Sequence, residues 1–518
     1  MPVFFSNCWS GCPALLYGLT MFFGASLAIF DIHWLLVFLF AGLLLFPIIY
    51  ISSMRNEVIL RIFLAAALGL LSFTFTTHEY QIPRFNESWL NGKAQVTFSS
   101  VTHSKTSFGL LWTYKGTLHS FSEINSYREN SIAKNLPFTL SIPAKNNVAR
   151  PSANYQYILQ TRLKEVIPGN YSLSLSKGAS WDPKKNVWAF AEWRFNAKTY
   201  LRQVIYSAIK DPHAAAFLGG LATGSMDDHQ LSFELGRFGL QHLMAISGLH
   251  FAILASIAGF LLQLIFPHKI SAFLLITLLS AYFLFLGPSP SVIRAWVSIT
   301  VALMGTVLSK RSNGLNSLGV SLIVMTLIDP FALQNIGFQF SFAVTTAILV
   351  WFAPCEKMCQ RFFAKRTLSE LAEMGGFSQH GYCLLYFLRQ ALALAIAVNL
   401  VAFPMTLFHF HKFPLMSLIY NLFFPFLMSL SMLLLATGLF VSTIFPWLSD
   451  QIHAMNEYFT QFLLSFAFNL PKSFDVAFRM DEIHKEGLAI YLMLILALGL
   501  FLKFSGKNYP DEEAFIFV

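Results

Sequence analysis

Apolar runs of about 20 residues, the length that a helix needs to cross a bilayer, recur along most of the chain. Three come first, near residues 13–30, 34–51 and 58–76, and later runs fill most of the second half. Short polar turns separate them. The pattern predicts a polytopic α-helical membrane protein with about 10–12 spans.

The pattern changes between residues 78 and 195. Segments 95–101, 108–121, 138–142, 155–167 and 171–176 alternate apolar and polar positions or are rich in β-forming residues, and Gly, Pro and Asn punctuate the gaps. Five short strands inserted after three helices are typical of a small β-barrel of the OB type. A β-sandwich is the alternative.

Composition agrees with the membrane prediction, because 55% hydrophobic and 12% charged residues make the 518-residue chain too apolar for a soluble globular protein. Its net charge of +9 is concentrated in the β-rich region, which contains fourteen Lys and Arg but only seven Asp and Glu. Cationic and aromatic side chains together suit a groove for single-stranded nucleic acid. The candidates are Trp112, Tyr114, Lys115, Tyr155 and Tyr157. A basic face lying on anionic lipid headgroups is an equally good interpretation.

Basic and neutral turns alternate along the helical part. Arg55, Lys310 and the 356–373 loop carry positive charge, whereas the turns at 287–290 and 329–338 have no Lys or Arg. The positive-inside rule therefore predicts an extracytoplasmic β domain and a cytoplasmic C-terminus.

We expect five regions in the chain. Residues 1–77 form a three-helix membrane segment, and 78–195 form the β domain. Residues 196–226 are an amphipathic or re-entrant connection, the amphipathic helix being suited to the membrane interface. Residues 227–445 form a polar-rich membrane domain, and 446–518 form C-terminal membrane helices with a short cytoplasmic tail.

The stretch from residue 241 to 251 opens an apolar run yet contains His242, Ser247 and His250, with Gly248 among them. On a helix these three polar residues fall within about 140° of one face. Polar groups inside lipid are costly unless they face protein or water, so such residues often mark a transport path. A polar seam that joins two helices is the alternative.

Other polar residues are expected at the same depth of the membrane. Arg294 lies about one turn inside a predicted span, where a guanidinium needs a partner, an anion or water. In the membrane topology predicted by the positive-inside rule, the outer half of the membrane also contains Asp329, Gln339, Ser341, His409 and Asn421. This convergence favours a lined cavity over scattered helix contacts.

At these residues the sequence resembles the ComEC family of competence proteins, the inner-membrane channels through which transformable bacteria internalise DNA. The similar pieces are H-L-M-A-I-S-G-L-H at 242–250, G-P-S-P-S-V-I-R-A at 287–295, D-P-F-A-L-Q-N-I-G-F-Q-F-S-F at 329–342 and P-M-T-L-F-H-F at 404–410, followed by Y-N-L at 420–422. The resemblance covers about residues 215–440 and identifies region 227–445 as a competence-type channel domain.

The resemblance implies an extracytoplasmic OB-like domain, single-stranded DNA as cargo, a periplasmic DNA receptor and a cytoplasmic helicase-like ATPase. Many family members continue into a metallo-β-lactamase-like domain with an H-x-H-x-D-H zinc motif. Here His409 and His411 are followed by Lys412 and Phe413 instead. We therefore expect a form without that domain, with any nuclease supplied by another chain.

The preferred function is a channel or translocase for single-stranded DNA in the inner membrane, with membrane lipids as its surroundings. No nucleotide-binding G-x-x-x-x-G-K-[ST] loop occurs, so we expect no ATPase, no cofactor and no metal in this chain. One rival is an intramembrane serine hydrolase with Ser247 as nucleophile and His250 as base. A transporter of small solutes or lipids is another.

Overall fold

The computed structural model describes residues 12–30, 55–78, 80, 89–106, 109–123, 131–144, 150–167, 169–176, 178, 180–226, 228–240, 242, 248–310, 313–469, 471 and 474–505. The predicted span at 34–51 and the candidate residue Ser247 lie outside these ranges.

The described residues form fifteen α-helices. These are α1 (Pro13–Ile29), α2 (Arg55–His78), α3 (Phe190–Ala208), α4 (Pro212–Thr223), α5 (His229–Arg237), α6 (Gly248–Ile265), α7 (His268–Leu286), α8 (Pro290–Val307), α9 (Gly314–Ile328), α10 (Ile336–Gln360), α11 (Leu368–Glu373), α12 (Gly376–Phe410), α13 (Ser417–Val441), α14 (Pro446–Phe468) and α15 (Lys485–Ser505). A 3-10 turn, Pro330–Gln334, joins α9 to α10.

Seven of these helices are long and apolar enough to cross a membrane: α2, α7, α8, α10, α12, α13 and α15. Three shorter apolar helices, α1, α6 and α9, accompany them. The prediction of a polytopic helical membrane protein with a β domain is thereby confirmed. The run near residues 416–444 forms the single helix α13, which contains Pro425. The total of about 10–12 spans stays a prediction.

Glycines let the first helices and α9 pack backbone against backbone. A Cβ placed on Gly24 of α1 would stand 2.1 Å from the Ala66 carbonyl oxygen of α2, and one on Gly18 would stand 2.8 Å from the Gly319 oxygen of α9. Lipid supplies no hydrophobic force between helices, so close van der Waals packing through small residues replaces it.

Six strands build the β domain: β1 (Leu90–Thr106), β2 (Gly109–Glu123), β3 (Leu136–Pro143), β4 (Tyr155–Ile167), β5 (Asn170–Leu175) and β6 (Asp182–Asn186). Their order is β1-β2-β3-β5-β4-β6, and β4 also pairs with β1. The first five strands therefore close into a barrel, with β3 and β5 parallel and the other pairs antiparallel. Sequence patterning predicted these five strands and missed β6.

Period-two alternation sends one side of each strand into the barrel core. On β1 the inward residues are Ala94, Val96 and Phe98, followed by Val101 instead of residue 100. A register shift between Phe98 and Ser100 explains the change, because one extra residue reverses the alternation. β1 pairs with β2 along most of its length and with β4 over residues 90–96, before this shift.

Helix α3 connects the barrel to the helical bundle. Arg150 and Glu192 form an ion pair, and Glu192 Oε2 also accepts from the Ala153 amide at 2.7 Å, which ties the start of α3 to the barrel. Arg194 Nη1 donates to Ser99 O of β1 at 3.2 Å, and its Nε donates to Leu284 O of α7 at 3.0 Å. We call the end of the bundle reached by these contacts the barrel end.

A second contact reaches the barrel end from another side. Gly169 lies in the β4–β5 turn with φ +80° and contacts the ring of Phe331 in the 3-10 turn. A Cβ at residue 169 would stand 2.4 Å from that ring, so only glycine leaves room for it. Phe331 in turn packs on Phe73 and Tyr80 near the end of α2. The barrel thus rests on the ends of several spanning helices.

After α3 the chain makes the short helix α4, whose residues are almost all buried. Asp211 caps it by accepting from the Ala214 amide at 2.7 Å, and Gly224 ends it in the left-handed region. The structure therefore shows a packed helix at residues 212–223. A small two-stranded antiparallel sheet of β7 (Lys412–Pro414) and β8 (Ala477–Arg479) joins the segments that follow α12 and α14.

Candidate functional site at the barrel end of the bundle

Arg294 lies in α8 about one turn after Pro290, which begins the helix. Its side chain is buried, and its Nε donates to Ser341 Oγ of α10 at 2.7 Å. Within the described part of the chain, Ser341 is the one hydrogen-bond acceptor found for this guanidinium. A guanidinium has five N–H donors, so its terminal nitrogens keep donors for an anion or water.

Gly248 begins α6 directly beside that guanidinium. A Cβ on Gly248 would stand 2.8 Å from Arg294 Nη2. A methyl group would displace only the end of a flexible side chain, whereas a larger side chain would occupy the space around the cation. The two predicted site residues from separate motifs are therefore neighbours.

His250 follows Gly248 by two residues and is buried, next to the apolar contacts that Phe251 makes with α7 and α8. His242 is exposed, and its Nδ1 lies 2.9 Å from the Gly239 carbonyl oxygen just after α5. Gly239 itself, with φ +70°, lies against Ser417 at the start of α13. Ser247 is outside the described residues, so its distance to His250 stays untested.

A second polar pair lies at the start of α10. The Nε2 of His409 is 3.0 Å from Gln339 Oε1, and Gln339 Nε2 donates to Leu333 O at 3.0 Å. These contacts join the end of α12 to the 3-10 turn through α10. Gln339 and Ser341 are two residues apart and differ by about 200° around the helix, so the two polar pairs lie on different faces of α10.

Asp329 and Asn421 share no hydrogen bond with either pair among the described residues. Asp329 is exposed and caps the 3-10 turn by accepting from the Phe331 amide at 3.1 Å. Asn421 lies in the first turns of α13, and its Oδ1 is buried with no hydrogen-bond partner among the described residues. Arg294 with Gly248 and Ser341 therefore forms the compact part of the candidate site.

Small hydroxyls behind Arg294 escaped the sequence analysis. Ser298 Oγ and Ser321 Oγ are 2.9 Å apart, and Ser321 Oγ donates to the Arg294 carbonyl oxygen at 3.4 Å. They join α8 to α9 and hold the backbone that carries the guanidinium. Serines at a four-residue spacing, Ser317 and Ser321, were the available signal for a polar helix face.

The five candidates for DNA contact in the barrel separate into buried and accessible residues. Tyr114 and Tyr157 lie in the core, and their hydroxyls donate to the carbonyl oxygens of Pro151 and Ser152 at 2.9 Å. Burial raises the pKa of Tyr114 to about 12, so its hydroxyl stays protonated. Trp112 packs against His103 and Phe195. Lys115 and Tyr155 are the exposed members of the set.

Exposed cations do line one side of the barrel. Lys93 on β1 pairs in register with Gln160 of β4, two residues from Arg162, and all three are exposed. Lys184 of β6 reaches Gln95 of β1 at 3.4 Å. Among the described residues no group of three or more His, Cys, Asp or Glu is placed to hold a metal ion.

The comparisons with known proteins point to the same part of the chain. A family model described as "Competence protein" matches residues 222–505. ComE operon protein 3 of Bacillus subtilis (strain 168) is 26% identical over 283 residues, which cover 54% of this chain and 34% of that protein. The match thus spans about a third of that relative's length. No solved structure matches.

Proposed function

The chain belongs to the competence protein family, and from this premise we propose that it passes single-stranded DNA across the inner membrane during DNA uptake. The observation that carries the proposal is the guanidinium of Arg294, buried inside a spanning helix with a single described acceptor. A DNA strand would offer phosphate oxygens to its terminal nitrogens. Gly248 beside it leaves space for the strand.

The rest of the proposed path needs donors and acceptors that do not trap a polyanion. Gln339, Ser341, His409 and Asn421 offer hydrogen bonds of this kind at the same end of the bundle, and His242, Ser247, His250 and Asp329 complete the proposed set. A path lined mainly by neutral groups, with one cation and the carboxyl group of Asp329, lets phosphates bind and leave again, as conduction requires.

The barrel would receive DNA before it reaches the bundle. Its strand order supports an OB-type fold, in which a five-stranded barrel presents a face to oligonucleotides. Because Tyr114 and Tyr157 are enclosed, we assign the first contacts to exposed groups, namely Lys93, Lys115, Tyr155, Arg162 and Lys184. These contacts would be mainly electrostatic and would weaken as salt rises.

The proposed partners follow from what the chain would need in order to work. A DNA receptor on the periplasmic side would deliver the strand, a helicase-like ATPase on the cytoplasmic side would pull it, and a separate nuclease would remove the complementary strand. We place the β domain outside and the C-terminus in the cytoplasm. Reporter fusions at Asn146 and Gly506 test this topology. Cytoplasmic activity of the reporter fused at Asn146 would contradict it.

The decisive experiment measures internalised fluorescent DNA in a deletion strain that carries the full chain or a variant at matched protein level. We expect uptake with the wild-type chain and loss with Arg294→Ala. Uptake that is normal without the chain would contradict the proposal. A deletion strain that takes up DNA but fails to accumulate a solute or lipid would favour the transporter instead.

A further inference from the structure

Helix α3 carries an exposed stripe that has no charged side chain. The stripe consists of Phe190, Trp193, Asn196, Tyr200 and Gln203, spaced three or four residues apart along one face. Tyr200 is 70% exposed, and Phe190 and Trp193 are each 46% exposed. Three large rings on an uncharged face are unusual for a helix that faces water.

The cations of α3 are bound by protein groups, and the guanidinium of Arg194 also lies 5.9 Å from the ring centroid of Phe190 at one end of the stripe. Arg194, Lys198 and Arg202 recur every four residues, and each is engaged by the barrel or the bundle. Lys198 Nζ donates to Leu286 O of α7 at 2.8 Å, beside the Arg194 contact with Leu284. Burial lowers the pKa of Lys198 to about 8, and the nearby charges of Arg202 and Arg194 act in the same direction.

The position of α3 along the bundle follows from these contacts. Leu284 and Leu286 lie in the last turn of α7, one of the seven helices able to span the membrane. The hydrocarbon layer ends near the end of a spanning helix, so α3 lies at the level of the headgroups. Trp and Tyr are enriched at this level, where an apolar ring and a polar edge are both accommodated.

The β4–β5 hairpin supplies a second apolar surface at the same end. Val166 is 62% exposed and Ile167 is 43% exposed, directly before the turn in which Gly169 contacts Phe331. Phe331 lies on Phe73 and Tyr80, at the end of the spanning helix α2. Two separate parts of the barrel region thus expose apolar side chains next to the ends of spanning helices.

We propose that the α3 stripe and the β4–β5 hairpin tip form a two-point lipid anchor that seats the barrel on the headgroup layer. The anchor is uncharged, because the cations of α3 are already engaged by protein groups. Binding of the anchor to the membrane therefore depends on burial of its rings and aliphatic side chains and not on anionic lipid. Two contacts fix the tilt of the barrel, which one contact would leave free to swing.

The test uses the full-length protein in lipid nanodiscs, in a background with the native cysteines replaced by alanine. A nitroxide is attached at Tyr200→Cys or at Ile167→Cys, and at Thr117→Cys, an exposed barrel position outside both surfaces, as the matched control. Collisions with oxygen, which concentrates in lipid, are compared with collisions with a water-soluble nickel complex. Trp193→Cys replaces Tyr200→Cys if that variant does not fold.

We expect oxygen to dominate at positions 200 and 167 and the nickel complex to dominate at 117. The preference should be equal in discs of neutral phosphatidylcholine and in discs with anionic phosphatidylglycerol. A nickel preference at 200 means that the stripe faces water, and it overturns the proposal. Low collision rates with both reagents mean a protein partner, such as a second copy, and overturn it too. An oxygen preference found only in anionic discs overturns the uncharged anchor.

Discussion

Arg202 and Arg294 are both buried arginines near the barrel end, and their surroundings are opposite. Arg202 Nε donates to Thr223 Oγ1 at 3.1 Å, its Nη2 donates to Ser225 O at 2.7 Å and to Ser225 Oγ at 2.6 Å, and its Nη1 is 3.1 Å from a ring nitrogen of His103. Arg294 has the single described acceptor Ser341. All three guanidinium nitrogens of Arg202 therefore contact protein groups. In Arg294, only Nε has a protein acceptor among the described residues.

We interpret the difference as that between a structural cation and the cation of the proposed DNA path. Each hydrogen bond to a charged group contributes about 1.5–3 kcal/mol, and a buried charge without partners is strongly unfavourable. The fold gains from burying Arg202, because the side chain joins the barrel, α3 and the turn after α4. Burying Arg294 with one acceptor stabilises the fold little, and its position inside a spanning helix is therefore the basis for the proposed contact with phosphate.

The largest effect should come from Arg294→Ala. Loss of the cation removes charge-assisted hydrogen bonds to phosphate, each worth about 1.5–3 kcal/mol, and uptake should fall by about 10- to 100-fold or more. Arg294→Lys should keep partial uptake, because it retains the charge and loses the planar fork. Internalised labelled DNA per cell at matched protein level is the measurement. Normal uptake by a stable Arg294→Ala protein would falsify the assignment.

Gly248→Leu should be nearly as severe, because its side chain would fill the space beside Arg294 Nη2. The matched control is Gly248→Ala, whose methyl group displaces only the end of the flexible Arg294 side chain. We expect Gly248→Ala to retain most uptake. Equal loss in both variants would show that the backbone at Gly248 matters and not the space beside the cation.

Arg202→Ala should act on stability and not on the transport step. It leaves Thr223 and Ser225 without a donor and separates the barrel from α4, at a cost of about 2–4 kcal/mol. We expect a lower apparent melting temperature in detergent and less protein in the membrane. Uptake per remaining molecule should stay near normal. A specific loss of uptake in a protein of unchanged stability would remove the contrast with Arg294.

Periodicity predicted the elements of this fold better than it predicted their contacts. Tyr114, Gly116 and Leu118 fall on one side of β2, because successive side chains of a strand alternate. This alternation already indicated that Tyr114 lies in the barrel core and is a poor candidate for DNA contact. The four-residue spacing of Arg194, Lys198 and Arg202 likewise indicated one charged face. The sequence could not show that this face is turned inward, because the carbonyls that it meets come from distant segments.

The contacts of the candidate site and the strand β6 could not be predicted from local sequence, because both depend on segments that are distant in the chain. β6 is exposed throughout and has no β pattern in its sequence, so it forms only because β4 offers an edge to pair with. The predicted topology places Arg294 and Ser341 at one level of the membrane, but only the packing of α8 against α10 brings them within hydrogen-bond distance. The contact of Gln339 with His409 of α12 lies on another face of α10, which depth alone does not resolve.

Ser341→Ala should have a moderate effect on uptake. The variant removes the described acceptor of Arg294, which frees the guanidinium to adopt other positions, and about 1.5 kcal/mol of positioning corresponds to about a 10-fold loss. Ser341→Thr keeps the hydroxyl and should restore most uptake. If Ser341→Ala and Ser341→Thr behave alike, the hydrogen bond does not position the cation.

The smallest effect should come from Ser247→Ala, and it decides between a channel and an intramembrane hydrolase. In a channel, this change removes one replaceable hydrogen bond worth about 0.5–1.5 kcal/mol, so substantial uptake should remain. His250→Ala should cost more, because it opens a cavity at a buried position beside Gly248. In a hydrolase, loss of the nucleophile and loss of the base should be equally complete, because neither works alone. The two variants are compared by internalised DNA at matched protein level, and a folded Ser247→Ala protein with no uptake would support the hydrolase.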